Sequence, residues 1–390
     1  MDKLLLPFKQ NKLLNTLFLS NVFISFHYAL VIYINSSFLN TIFTNTQVSA
    51  LYIIGSILDI SLLLNASRIL DKLGSYKFSL FVLILEFLTT VGLAVTTIPF
   101  LVGLYFIIHL VCISLILFNM DVFVESVSTE SVTGSIRATY LTLTNITIVL
   151  APSVIALLVF QNTYNYVYIV SAGLMVPLFN LIKRLNFSRA TSSTPIRIKE
   201  TLVEYLKNKN LYNIFISQFL LQLFYAYMVI YVPLYLIKII GFSWAEVGVM
   251  FTIMLLPFVL FELPVGNLAD NKYGEKEFLT IGFIVMGLPT LFISFVTAKI
   301  FWIWAVLLFI TRIGASFVEI STESYFFKQV NQEKTDVISF FRLARPLSYI
   351  VGPLLATLSL QFIPFQYIFI VIGTLMILGC HYSLAITDTK

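Results

Sequence analysis

The chain has 390 residues, of which 59% are hydrophobic and 11% are charged, and its formal net charge is +5. Soluble domains carry about 25% charged residues, so this composition cannot cover its own apolar surface in water. It excludes an ordinary soluble globular protein. Because the basic residues are scattered over short loops, they also argue against nucleic-acid binding.

Long apolar runs such as Phe301–Ile310 indicate helices rather than barrel strands, which alternate apolar and polar residues. We predict an all-α integral membrane protein with twelve membrane-spanning helices, each near the length that a bilayer requires. The first six predicted spans are 15–37, 46–66, 77–97, 100–124, 136–160 and 164–184. The last six are 210–238, 244–268, 277–298, 300–326, 336–361 and 364–386.

The longest polar stretch, 185–209, lies between these two sets and is interpreted as a cytoplasmic linker with a short amphipathic helix near 198–206. The predicted domains are therefore a six-helix bundle at 1–184, the linker, and a second bundle at 210–390. With a cytoplasmic N-terminus, 19 Lys and Arg residues fall in inner segments and 2 in outer ones. This asymmetry predicts that both termini are cytoplasmic and that the protein lies in the plasma or inner membrane.

The two halves share short motifs in the same order. Phe123–Ser131 resembles Phe317–Ser324, and Ala151-Pro152 corresponds to Gly352-Pro353. Asp71, after span two, corresponds to Asp270, after span eight. These matches predict two parallel six-helix repeats, an arrangement that some transporters use.

The loop after span eight reads Gly266-Asn-Leu-Ala-Asp270-Asn-Lys-Tyr-Gly274-Glu-Lys276, and the loop after span two reads Ser67-Arg-Ile-Leu-Asp71-Lys-Leu-Gly74-Ser-Tyr-Lys77. These loops resemble the signature of the major facilitator superfamily, with one extra residue before Gly274. In that family an acidic and a basic residue often face the signature Asp, and Glu130 and Arg137 match them.

The resemblance implies a small-molecule transporter that works by alternating access, with spans one, four, seven and ten lining a cavity. Polar residues in these spans are the substrate-cavity candidates: Asn21, Tyr28, His109, Asn119, Gln218, Gln222, Tyr225 and Arg312. For each of them, hydrogen bonding between helices is the alternative interpretation. It applies equally to His27.

Ionisable groups within a span are costly and commonly functional. In span ten, Arg312, Ser316, Glu319 and Glu323 lie on one helical face, and Arg342 and Arg345 share a face of span eleven. Glu323 and Arg342 lie at similar predicted depths, as do Glu319 and Arg345. These charges fit either a structural ladder of ion pairs or a switchable gate. Arg312 has no evident partner in that ladder and is the candidate for contacting an anionic group of the substrate.

Proton coupling is assigned to three buried carboxyl candidates, Asp59, Glu86 and Glu319, because an unpaired carboxyl in a low-dielectric site can titrate usefully. A packing hydrogen bond is the alternative for Asp59. The sequence contains no phosphate-binding Gly-x-x-x-x-Gly-Lys-Ser/Thr loop and no catalytic string, which argues against an ATP-driven pump or an enzyme.

The predicted function is secondary transport of a small solute, coupled to protons, with efflux as one possible direction. We predict a monomer with neither cofactor nor metal. A lipid flippase or scramblase on the same scaffold is the alternative, and a membrane-embedded enzyme is a further one.

Overall fold

A computed structural model describes residues 12–127, 133–159, 163–185, 198–329 and 335–387. Helices account for nearly all of these residues. In chain order they are α1 (Lys12–Ile32), α2 (Asn35–Leu39), α3 (Asn45–Leu73), α4 (Ser75–Val95), α5 (Pro99–Val127), α6 (Thr133–Leu158), α7 (Asn165–Arg184), α8 (Ile198–Lys207), α9 (Lys209–Tyr235), α10 (Trp244–Leu268), α11 (Glu275–Ile293), α12 (Phe301–Gln329), α13 (Thr335–Arg342), α14 (Ala344–Ser359) and α15 (Ile368–Ala385).

The chain divides into two compact units. The first comprises the described residues of Met1–Phe43 and Ile54–Pro195, and the second those of Thr44–Ile53 and Ile196–Lys390. In the first unit, α1 packs against α5, α6 and α7, and α4 packs against α5 and α7. In the second, α11 packs against α12 and α15, and α9 packs against α12, α14 and α15. The predicted domain boundaries themselves stay a prediction.

Eleven of the described helices are long and apolar enough to cross a bilayer, which confirms the predicted helical membrane fold. The predicted span 336–361 is the exception, because it consists of α13 and α14, separated at Leu343. Arg342 and Arg345 therefore belong to different helices, and the prediction that they share one helical face is wrong. Pro346 was the sign of this break in the sequence, because a proline has no N–H to donate to the Arg342 carbonyl oxygen four residues earlier.

Both signature loops turn at a glycine with a positive φ angle. Gly74 precedes α4 with φ 78° and ψ 147°, and Gly274 precedes α11 with φ 86° and ψ 167°. This part of backbone space is essentially restricted to glycine. The two glycines thus produce the same reversal in each repeat.

The extra residue in the second signature loop is accommodated by a π-helical turn, Ala269–Tyr273. The Gly274 amide donates to the Ala269 carbonyl oxygen across five residues, at 3.0 Å. The wider turn absorbs one residue while the following glycine keeps its place at the start of α11. The inserted residue therefore leaves the repeat intact.

The short helix α8 lies within the predicted linker and carries the amphipathic stretch expected there. Its Tyr205 is buried, and the hydroxyl donates to the Val337 carbonyl oxygen of α13 at 2.9 Å. Burial raises the pKa of Tyr205 well above its usual range. The phenol therefore stays protonated, so this hydrogen bond is kept throughout the neutral range.

Candidate functional site

Three helices of the first unit bring two histidines and a glutamate together. Oε1 of Glu86, on α4, lies 2.9 Å from Nε2 of His27 on α1 and 2.5 Å from Nδ1 of His109 on α5. Glu86 and His109 are fully buried, and His27 is 2% exposed. We call these three residues the His–Glu–His cluster. Because α1 and α4 both pack against α5, the cluster is part of the unit's core.

Each member of the cluster has a further polar partner. Nδ1 of His27 lies 2.7 Å from the Ser171 hydroxyl, and Nε2 of His109 lies 3.4 Å from the side-chain nitrogen of Asn35. The Thr90 hydroxyl donates to Glu86 Oε1 at 3.1 Å. Because buried ring nitrogens need such partners, these contacts fix the orientation of both imidazoles.

The cluster is also the donor set that a metal ion would find in the described residues. The candidate ligand atoms of His27, Glu86 and His109 lie within 4.8 Å of one another. Two imidazole nitrogens and a carboxylate match the ligand types that divalent transition metals take. The distances from Glu86 Oε1 to the two ring nitrogens, 2.9 and 2.5 Å, are nevertheless those of hydrogen bonds.

A second polar group lies within the second unit, where Arg312 of α12 faces two rings of α9. Its guanidinium carbon is 5.1 Å from the Phe224 ring centroid and 5.3 Å from that of Tyr225. Arg312 is 1% exposed, and its Nε has no hydrogen-bond partner among the described residues. Contact with ring faces offsets part of the cost of burying the charge. A donor nitrogen remains available for an acceptor.

The same two helices share two further hydrogen bonds. The Tyr225 hydroxyl donates to Glu319 Oε2 at 2.6 Å, and the Thr322 hydroxyl donates to Gln218 Oε1 at 3.0 Å. The structure brings four predicted site residues, Gln218, Tyr225, Arg312 and Glu319, to one α9–α12 face. We call these four residues the arginine cluster.

Farther along α12, Glu323 pairs with Arg342 of α13, with Nη1–Oε1 and Nη2–Oε2 distances of 2.6 and 3.2 Å. This is one rung of the predicted ladder. The other expected rung, Glu319 with Arg345, is not formed between these two described side chains, because Glu319 bonds to Tyr225 instead.

An ion pair that the sequence analysis did not select lies close by. Glu275, at the start of α11, is fully buried and bonds to Lys328 and to the Ser324 hydroxyl, the latter at 2.9 Å. Glu275 immediately follows the signature glycine Gly274. The proximity of a signature loop was the signal that could have pointed to this pair.

The remaining candidates have varied positions. Asn21 donates to the Tyr140 carbonyl oxygen at 2.8 Å, and Asn119 donates to the Ser79 hydroxyl, so both amides join helices of the first unit. Asp59 is 9% exposed in α3. Tyr28 and Gln222 are half-buried.

Gly266 lies in α10, where an added Cβ would meet Ile320 at 3.3 Å, so close helix approach is compatible with its small size. The side chains of Asp71, Arg137 and Asp270, and all of Glu130, lie outside the described residues. Their predicted role in the signature loops stays a prediction.

The long apolar helices define a polytopic α-helical membrane protein. The model of the major facilitator superfamily matches residues 17–253 and 214–388. The chain belongs to this superfamily. It is a multi-pass membrane transporter of small molecules rather than an enzyme.

Solved structures support the same fold. The crystal structure of a mutant of nucleoside transporter NupG superposes with a TM-score of 0.76 at 14% sequence identity, over 96% of this chain and 99% of that one. A second crystal structure of nucleoside transporter NupG gives 0.73 and 15%, over the same shares. No curated protein matches the sequence. At such identities the likeness establishes the fold and leaves the solute open.

Proposed function

We propose that this protein is a proton-coupled secondary transporter whose solute combines a planar or aromatic part with polar or anionic groups. The observation that carries the proposal is the arginine cluster with its neighbour Phe224, where the buried Arg312 guanidinium lies over two aromatic rings beside a half-buried carboxylate and an amide. Phe224 and Tyr225 offer ring faces, while Arg312 and Gln218 offer polar contacts.

Nucleosides are the first solute class to test, because they combine a flat base with hydroxyl groups. NupG, which shares the fold, is a nucleoside transporter. The free Nε of Arg312 favours a solute with an exposed acceptor oxygen or a phosphate. Nucleosides and their monophosphates therefore make a matched pair that separates recognition of the ring from recognition of the anion.

Proton coupling is supported by carboxyl groups placed inside spanning helices. Glu86 is fully buried in α4, and Glu319 lies within α12 beside Arg312. Such groups are costly in a bilayer and commonly carry protons in transporters. We also propose that the protein acts as a monomer in the plasma membrane with both termini in the cytoplasm, as the distribution of Lys and Arg indicates.

The test uses purified protein in sealed liposomes with an imposed pH gradient and labelled nucleosides, nucleoside monophosphates and organic anions. Wild type is compared with Arg312→Ala and with Arg184→Ala, since Arg184 is exposed at the end of α7. We expect gradient-driven flux in wild type and Arg184→Ala, and a loss of at least about tenfold in Arg312→Ala, as removal of a buried charged contact to the solute implies.

Three outcomes would contradict the proposal. Flux that ignores the pH gradient would indicate a uniporter. Movement of a headgroup-labelled lipid in place of every solute would indicate a flippase or scramblase. Equal flux in Arg312→Ala and Arg184→Ala would remove the arginine cluster from the solute site.

A further inference from the structure

The hydrogen bonds around the His–Glu–His cluster allow its protons to be counted, starting from His109. The Tyr168 hydroxyl donates to Asn35 Oδ1 at 2.7 Å, which leaves the amide nitrogen of Asn35 facing His109 Nε2 at 3.4 Å. An amide nitrogen only donates, so this ring nitrogen accepts. In neutral His109 the proton is then on Nδ1, which donates to Glu86 Oε1 at 2.5 Å.

The proton of His27 is placed by Ser171. Nδ1 of His27 lies 3.1 Å from the Ser171 carbonyl oxygen and 2.7 Å from its hydroxyl, and that hydroxyl donates to the His27 carbonyl oxygen at 3.1 Å. A carbonyl oxygen only accepts. A proton on Nδ1 is the assignment in which every one of these contacts joins a donor to an acceptor.

One contact then remains without a proton. His27 Nε2 and Glu86 Oε1 are 2.9 Å apart. With neutral His27 and ionised Glu86, two lone pairs would face each other there. We propose that the His–Glu–His cluster is a binding site for one dissociable proton, held between His27 Nε2 and Glu86 Oε1, and that this is the proton that drives transport.

The charge of the site supports this assignment. With the proton bound, the three side chains sum to zero charge, as a site inside a bilayer demands. Without it, a buried carboxylate faces a ring lone pair with no Lys or Arg bonded to any of the three side chains among the described residues. Titratable groups near the cluster in the described part of the chain include the Cys112 thiol of α5 and the Tyr168 phenol of α7, both buried.

Loss of the proton has a mechanical consequence. The bond between His27 and Glu86 joins α1 to α4, while His109 joins α5 to the same carboxylate oxygen. Deprotonation turns the first of these attractions into a repulsion, so α1 is released from α4 while α5 stays bonded. Binding or loss of the proton thereby changes the contacts between helices, as coupling of proton movement to transport requires.

A proton fits this geometry better than a metal ion does. Ligand atoms about 2.0 Å from a tetrahedral zinc lie about 3.3 Å from one another. Here Glu86 Oε1 lies 2.9 Å from one ring nitrogen and 2.5 Å from the other. These are hydrogen-bond separations, and the carboxylate oxygen would have to move away from both rings to admit a metal.

The test is a pH titration of wild-type protein in nanodiscs, followed by NMR of ¹⁵N-labelled histidine and ¹³C-labelled glutamate side chains. The chain has three histidines, and exposed His381 serves as the internal reference, assigned through His381→Asn. We expect His109 to be protonated on Nδ1 alone. We expect His27 and Glu86 to share one extra proton, lost in a single step that moves both signals together.

In Glu86→Gln the shared proton has no carboxylate, so His27 is expected to be neutral with its proton on Nδ1. A wild-type His27 protonated on Nε2 alone, unchanged in Glu86→Gln, would overturn the proton count. Added Co²⁺ that broadens His27 and His109 but spares His381 would show a metal site and overturn the proposal. The wild-type titration gives a result even if Glu86→Gln does not fold.

The role in coupling, unlike the proton count, depends on the proposed function. Flux in the same liposomes separates the two. Gradient-driven flux lost in Glu86→Gln and kept in His381→Asn supports the coupling role. If the shared proton is found but Glu86→Gln still follows the gradient, the coupling role is wrong. If wild type ignores the gradient while the shared proton is found, the proton site is supported and the proposed proton-coupled function is contradicted.

Discussion

The hydroxyl oxygen of Tyr225 lies 2.6 Å from Oε2 of Glu319, and these two residues come from α9 and α12. The ring that carries this hydroxyl also lies 5.3 Å from the guanidinium carbon of Arg312. One tyrosine thus contacts both an acid and a base of the second unit. A change in the protonation of Glu319 can therefore affect Arg312 through the Tyr225 side chain.

Removing the Tyr225 hydroxyl should break the link between Glu319 and Arg312. Tyr225→Phe keeps the ring under Arg312 but leaves Glu319 without its donor, which we expect to cost roughly 1 kcal/mol of stability. Tyr225→Phe and Glu319→Gln should be non-additive in a double-mutant cycle, measured by chemical unfolding in detergent. Tyr212→Phe, at an exposed position of α9, is the control and should change little. Additive effects would show that the bond contributes nothing.

The signature glycines should not tolerate a side chain. Gly74 has open space around it, so Gly74→Ala tests backbone strain without a steric clash. At its positive φ we expect a loss of about 1–3 kcal/mol in unfolding free energy. Gly173, which also has open space but lies in α7 without a positive φ, is the matched control. Gly173→Ala should be neutral or stabilising by up to about 1 kcal/mol. Equal effects at both sites would contradict the assigned turn.

Close packing of α11 and α12 depends on Gly314. A Cβ built there would lie 2.3 Å from the Met286 backbone nitrogen and 2.6 Å from the Gly282 carbonyl oxygen. Gly314→Ala should therefore push the helices apart and cost about 1–3 kcal/mol or prevent folding. At Gly352 an added Cβ would meet Ala226 at an ordinary 3.4 Å, so Gly352→Ala should be mild. Comparison of the two unfolding transitions checks this, and similar stabilities would contradict the close approach.

Mutations of the Glu323–Arg342 pair test whether it gates transport or only stabilises the structure. Arg342 is 51% exposed and Glu323 26%, so Glu323→Gln should lower stability by less than about 1 kcal/mol. If the pair acts as a gate, transport should fall by much more than this stability loss implies, and the swap Glu323→Arg with Arg342→Glu should restore part of it. The measurement compares solute flux with the free energy of unfolding for each variant. If both change in proportion, the pair only stabilises the structure.

Hydropathy was sufficient to predict the spans, because membrane insertion depends on local composition and length. Hydropathy did not locate the break at Leu343, which the nearby Pro346 could have indicated because it cannot donate a backbone hydrogen bond. The sequence also could not predict that the three members of the His–Glu–His cluster lie together. Its bonded members lie 59 and 23 residues apart in the chain, and their meeting depends on the rotation of three separate helices.

The arginine cluster was more accessible to sequence reasoning, since the α12 stripe of Arg312 and Glu319 follows from helical periodicity alone. What periodicity could not supply was the partner helix. Glu319 was paired with Arg345 on grounds of depth, whereas the structure gives it Tyr225. Depth along a span gives only the position of a residue along the helix, whereas a contact also depends on which helix lies beside it.

If solute and proton move together, solute entry alone must move protons across the membrane. Liposomes containing a pH-sensitive dye and purified protein, with no imposed pH gradient, would receive a solute that the flux panel has identified. We expect a prompt change of internal pH in wild type and His381→Asn, and none in Glu86→Gln. Solute entry into wild-type liposomes at constant internal pH would contradict it.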